Sequence, residues 1–217
     1  MLAAEMVGPS GKVIGIDRRG SIVEHARQLA KRKNLPNLSF QIGATYPQER
    51  DSKFDLVTGR LMAGYQLDRI EFFRQASSMV KPGGTIAFLE AAWNLCGTWT
   101  SPVIPVYDEL VRQFMPVIKA LGFDADLGSH LIQTFQQAGL SEPQVSADIL
   151  VSGPRSGIID CMFSCFEMVF AQARDTGIDI PDQMTLKEAR EQVQRAAEAG
   201  YVQFNGPCVA GAWTTVH

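Results

Sequence analysis

The sequence has no excess of positive charge. The 217 residues carry 20 lysines and arginines against 23 aspartates and glutamates, a formal net charge of −3. That balance argues against a nucleic-acid footprint, which needs a basic face or stripe. Arg27, Lys31, Arg32 and Lys33 are basic, but they share one solvated helix face, the ordinary role of a charge run. Cysteine is scarce as well. Cys96, Cys161, Cys165 and Cys208 contain no CxxC pair, so no metal site is expected, and a reduced, cytoplasmic compartment fits. Cys161 and Cys165 fall one helical turn apart in an apolar stretch and are expected to be buried thiols. No segment has the length and purity of a membrane span, and residues 1–6 are too short and too acidic for a signal peptide, so no membrane contact is expected. Low-complexity tracts and internal repeats are missing too. The remaining composition is ordinary for a globular chain, 46% hydrophobic, and long enough for one domain with a sizeable core.

What is present is strand and helix in alternation. Val13-Ile14-Gly15-Ile16-Asp17 is an apolar run that predicts a buried parallel strand ending on a carboxylate. Ser21-x-x-Glu24 then predicts a capping box for a helix to about Lys33, with Ile22, Ala26 and Leu29 inward. Further strands are predicted at 38–42, 54–58 and 85–90. Asp68-x-x-Glu71 predicts a capped helix, and Lys81-Pro82-Gly83-Gly84 a tight turn. This alternation predicts an α/β fold with a parallel sheet and right-handed crossovers. From Trp93 onward the chain turns aromatic and mainly helical. A helix is predicted at 129–138 with Gly139 beyond it, a strand at 144–152 and a nearly all-round apolar helix at 158–173. A capped helix from Thr185 to about Ala199 and a closing antiparallel strand at 209–216 follow. An acid at the carboxyl end of a buried strand in such a sheet sits at the ligand crevice, where it can accept both hydroxyls of a ribose. No Gly-rich strand-to-helix turn lies before that strand.

The pieces "LAAEMVGPSGKVIGIDRR", "FDLVTGRLMAGYQLD" and "MVKPGGTIAFLEAAW", in that order, resemble class I S-adenosylmethionine-dependent methyltransferases. "AGLSEPQV" and "GPCVAGAW" resemble the C-terminal half of bacterial small-molecule members. The resemblance implies a Rossmann-like methyltransferase sheet, mostly parallel, with an antiparallel C-terminal strand. It implies one methyltransferase-like domain over 1–217, with a mainly helical substrate or lid region at about 93–140 and 153–200. The cofactor implied is S-adenosylmethionine, and the partner a small-molecule substrate. Residue by residue, Asp17 matches the acid that holds the ribose, Arg18 its neighbour near the adenine, and Gly43-Ala44 the turn beside the adenine. Family members usually have Asp where Ala44 stands, so one hydrogen bond to the exocyclic amine is not expected. Arg60 lies in the matching loop after the fourth family strand, which lines cofactor and substrate.

The first family strand and its Gly-rich loop have no counterpart in this sequence, so the sheet is expected to be N-terminally truncated. Two explanations stand, an incomplete product starting at an internal Met, which is preferred, or a natural short form. Either way weak cofactor binding is expected, and unpaired strand edges invite association, so a homodimer is allowed for.

Methyl transfer needs positioning, desolvation and often a base. His130 and Glu90 are the candidates for proton transfer, each also readable as an ordinary exposed His or a solvated strand-end acid. Tyr65, Trp93 and Tyr107 are candidate walls of a substrate pocket, or packing. A catalytically silent binding or dimerisation module and a non-methylating, cyclase-type relative are the alternatives. A dehydrogenase fits less well, because its fingerprint glycines are equally absent.

Overall fold

The computed structural model of the chain describes residues 1–43, 53–178, 180 and 186–217. Ala44 and Thr185 lie outside them. The chain divides into two compact units, Met1–Lys53 and Phe54–His217.

The first unit contains α1 (Leu2–Met6), β1 (Val13–Asp17), α2 (Gly20–Arg32) and β2 (Leu38–Ile42). Strands β1 and β2 pair in parallel, from Val13 against Leu38 to Asp17 against Ile42. Ala4, Ala30 and Leu38 form the small core. Asn37 locks α1 onto β2, its Nδ2 donating to the carbonyls of Ala4 at 2.9 Å and Gly8 at 2.8 Å. Two expectations are corrected. The Ser21–Glu24 capping box does not form: Arg19 is the N-cap and no side chain caps the helix. The inward face of α2 is carried by Val23 and Ala30, whereas Ile22 is exposed, a register one residue off the predicted stripe.

The second unit is built on a five-stranded sheet of order β3-β4-β7-β5, with β6 also pairing β7. These are β3 (Phe54–Arg60), β4 (Val80–Ala91), β5 (Thr100–Ser101), β6 (Gln144–Ser152) and β7 (Gln203–Thr215). β3 and β4 are parallel. β7 runs antiparallel to β4, β5 and β6, as expected for the closing strand. The helices are α3 (Arg69–Ser78), α4 (Pro105–Ala120), α5 (Leu131–Gln137), α6 (Ile158–Asp175) and α7 (Leu186–Ala199).

The parallel strands therefore belong to two sheets. Among the described residues, β1 hydrogen-bonds only β2 and β3 only β4, so each is an edge strand of its own sheet. The predicted turn at Lys81–Gly84 is instead a bulge inside β4. Phe54 pairs Val80, and the ladder resumes at Leu56 and Thr85. Gly83 supplies the left-handed residue that the bulge requires, with φ of 81°. Lys81 Nζ reaches both oxygens of Asp55 across the pair, and that hydrogen bond, together with the lysine's charge, holds the carboxyl below the usual range.

On one face of the sheet, Phe88 packs against Phe72 and Phe73 of α3, and Phe73 against Phe135 of α5, with centroids 4.9–5.4 Å apart. Asp68 caps α3 as predicted, accepting the Glu71 N–H at 2.8 Å. Asp68→Ala is expected to lower stability by about 1 kcal/mol, measured by urea unfolding. A second core joins α4, α6 and α7 to β7. Helix α6 is one-sided rather than apolar all round: Phe163, Phe166 and Phe170 face this core, while Met168 is exposed. For the same reason Cys161 is exposed and Cys165 half-buried, correcting the expectation of two buried thiols. Among the described residues no His/Cys/Asp/Glu group is placed to hold a metal ion, and no helix is long and apolar enough to cross a membrane.

Candidate functional site

In the first unit, Asp17, Arg18 and Gly43 come together at the carboxyl ends of β1 and β2, where the Gly43 N–H donates to the Asp17 carbonyl at 3.1 Å. Asp17 Oδ1 accepts the Arg19 N–H at 2.8 Å, in place of the missing cap. Its Oδ2 has no hydrogen-bond partner among the described residues. The carboxylate is thus fixed by one oxygen and offers the other. Gly15 is required beneath it, since a Cβ there would lie 2.6 Å from the Phe40 ring.

In the second unit, the carboxyl ends of β3 and β4 carry three connected loops. Arg60 is exposed at the end of β3. Leu61 follows with its N–H bound to the Leu89 carbonyl at 2.8 Å and a left-handed φ of 52°. Residues Ala63–Tyr65 form a single 3₁₀ turn. Glu90, wholly buried at 0% exposure, closes that turn. Its Oε1 accepts from the N–H groups of Met62 at 3.2 Å and Ala63 at 2.9 Å, and its Oε2 from that of Gly64 at 3.3 Å. Burial pushes this carboxyl up, the three N–H groups pull it back, and the Asp124 charge adds a smaller upward push. Glu90 is therefore not the solvated strand-end acid that its position allowed.

On the far side, the Asp124 N–H donates to the Gly64 carbonyl at 3.0 Å, and Arg69 Nη2 pairs with Asp124 Oδ2 at 3.3 Å. Asp126 ties the Trp93–Leu95 turn to the Leu127–His130 turn. It accepts from the Asn94 N–H at 3.1 Å, Asn94 Nδ2 at 2.6 Å and Ser129 Oγ at 2.8 Å. His130 stands exposed beside it, Nε2 3.7 Å from Asp126 Oδ2. It is the N-cap of α5 rather than a first-turn residue.

The three aromatic candidates are placed differently. Tyr65 is 52% exposed and packs at a tilt against Phe123, with ring centroids 4.4 Å apart. Trp93 and Tyr107 are buried in the helical core, Trp93 against Phe114 at 5.4 Å and Tyr107 against Phe204 at 5.5 Å. Burial pushes the Tyr107 phenol well above its ordinary value. Sequence reasoning placed Leu61 in the loop Gly59-Arg60-Leu61 but not its left-handed backbone, and it missed Asp124 and Asp126. The Asp124-x-Asp126-x-x-Ser129 spacing is a readable signal for side chains closing a turn; a left-handed Leu leaves none.

A family model described as a methyltransferase domain matches residues 1–115 of the 217. A demethylmenaquinone methyltransferase of Lactococcus lactis is 32% identical over 126 residues, 55% of this chain and 45% of that protein. An aklanonic acid methyltransferase of a Streptomyces species is 29% identical over 148 residues, 63% of this chain and 67% of its own. The chain spans about half the length of the curated relatives it matches. Among solved structures, the YcgJ protein of Bacillus subtilis superposes with a TM-score of 0.56 at 16% identity, over 95% of this chain and 83% of its own. The [4+2]-cyclase SpnF does so with a TM-score of 0.53 at 15% identity, over 100% and 71%. That one fold carries proteins of different reactions is why the assignment rests on the family match. With more than half of its residues matched by the methyltransferase-domain model, this chain belongs to the class I S-adenosylmethionine-dependent methyltransferase family.

Proposed function

We propose that the protein transfers a methyl group from S-adenosylmethionine to a small-molecule acceptor. The observation that supports this most is the Asp17 carboxylate, fixed through Oδ1 and free at Oδ2 at the end of a parallel strand. Those residues fit the donor's ribose: vicinal hydroxyls each need an acceptor, and an ionised carboxylate is a strong one. Arg18 and Gly43 are its proposed neighbours on the adenine side. In the second unit, Arg60 and the loop 61–65 are the proposed lining for donor and acceptor. When bound, the donor supplies an electrophilic methyl on a sulfonium. The protein's part is to orient, to exclude water and to accept the acceptor's proton. His130, exposed beside Asp126, is the proposed proton acceptor. The helical regions at 93–140 and 153–200 are proposed to cover the acceptor, with the half-exposed Tyr65 as its aromatic contact and Trp93 and Tyr107 behind.

The relatives' names point to demethylmenaquinone and aklanonic acid as acceptors to try. The test is thermal melting and calorimetry of the full chain with S-adenosylmethionine, followed by labelled methyl transfer to demethylmenaquinone and aklanonic acid. Binding to the native state should raise the melting temperature in proportion to the logarithm of ligand concentration. A melting temperature that does not move at millimolar donor rejects the reading.

A further inference from the structure

Three consecutive N–H groups, of Met62, Ala63 and Gly64, converge on one carboxylate that has no contact with solvent. A buried charge is retained only where its hydrogen bonds are satisfied. Here they are satisfied by one loop. The N–H groups at the start of a helical turn have no partner within it, so the carboxylate supplies what the turn lacks. Both oxygens are committed, which leaves Glu90 little capacity to take a proton from a substrate.

The same loop holds a conformation that its own sequence opposes. Leu61 has φ of 52°, a region that a bulky side chain rarely occupies and keeps only when its surroundings dictate it. The loop is pinned before this residue's side chain by the Leu61 N–H on Leu89, and after it by Gly64. A Cβ at Gly64 would lie 2.7 Å from the Phe123 ring and 2.9 Å from the Asp124 carbonyl oxygen, so the loop is seated closely there. Between those two points, Glu90 is the side chain among the described residues that accepts from the N–H groups of residues 62–64, while Gln66 Nε2 donates to the Met62 carbonyl at 3.3 Å.

We propose that Glu90 is a positioning residue: its carboxylate holds Leu61 left-handed, and so holds the loop 61–65 in the shape that receives the methyl donor. The inference rests on the donor reading above. In this role Glu90 acts through backbone groups and never touches the reacting atoms.

The experiment is calorimetric titration of the full chain with S-adenosylmethionine for wild type, Glu90→Gln, Leu61→Asn and the double variant, with ligand-free melting temperatures alongside. Glu90→Gln should weaken binding about tenfold, the scale of a lost charge-assisted hydrogen bond. Asn tolerates the left-handed region far better than Leu, so adding Leu61→Asn should restore most of that affinity. A purely structural Glu90 would give the opposite: Leu61 packs against the helical core, so its replacement would only add to the damage. Should Glu90→Gln not fold, Glu90→Asp keeps the charge, retracts it by one carbon and should show a smaller loss, again recovered by Leu61→Asn. Unchanged affinity in the Glu90 variants, or loss without recovery in the double variant, overturns the inference while leaving the donor reading in place. Absence of binding by the wild type overturns both.

Discussion

Phe166→Ala is expected to lower the unfolding free energy by about 3–5 kcal/mol, the usual loss for a buried aromatic ring. Phe166 has 0% exposure and is neighboured by four rings, including Phe170 at 6.3 Å. Phe114 is 5.0 Å away, Phe163 5.6 Å and Tyr107 6.2 Å, centroid to centroid. Removing it opens a cavity where α4 and α6 meet, and edge-to-face contacts are lost with the buried area. The measurement is the urea midpoint at constant slope. On the same helix Met168 is 64% exposed, and Met168→Ala should change stability by less than about 0.5 kcal/mol. Equal effects at the two positions would refute the one-sided description of α6. Because whole domains are stable by only about 5–15 kcal/mol, Phe166→Ala should leave the second unit close to its folding threshold.

Asp17→Ala is expected to weaken S-adenosylmethionine binding by about 1.5–3 kcal/mol, roughly ten- to a hundredfold. The carboxylate is placed for ligand rather than for the fold: its side chain is 37% exposed, and among the described residues Oδ1 meets only Arg19, its N–H at 2.8 Å and its Nε at 3.8 Å. Asp17→Asn should keep that support and still lose the charge. Affinity should therefore fall in both variants, while the melting temperature moves little in the second. Calorimetry showing unchanged affinity for both would remove Asp17 from the site.

The parallel strands were legible because each is a short β-branched or apolar run bounded by Gly, Pro or Asn, a signal that depends on neighbours within the run alone. β1 and β2 have the predicted bounds, and β7 the predicted direction. The register of α2 was less legible, since Ile22 and Val23 are both apolar and only packing against the strands chooses between them. The Ser21–Glu24 box does not form because the helix begins at Gly20 with Arg19 as its N-cap, which puts Ser21 inside the first turn instead of before it. At the second unit's loops, Glu90 could be placed at a strand end from sequence. Whether it faced water depended on three N–H groups brought from β3, which no local pattern carries. Trp93 and Tyr107 were legible as aromatic, while their burial depends on where α6 and β7 fold back.

Strand β7 pairs three partners that precede it, β4, β5 and β6, and occupies residues 203–215. During vectorial synthesis β3 and β4 can pair early, but the other side of β4 has no strand until residues 209–215 leave the ribosome. For that interval Ile86, Phe88 and Glu90 lie in a sheet without its eventual neighbour, and β6 has nothing to pair with. Apart from the β3–β4 ladder, the sheet pairing described in the second unit is thus closed last and over a long loop, the arrangement that slows folding. The nascent chain has its longest exposure to chaperones, and to wrong strand partners, just before β7 arrives.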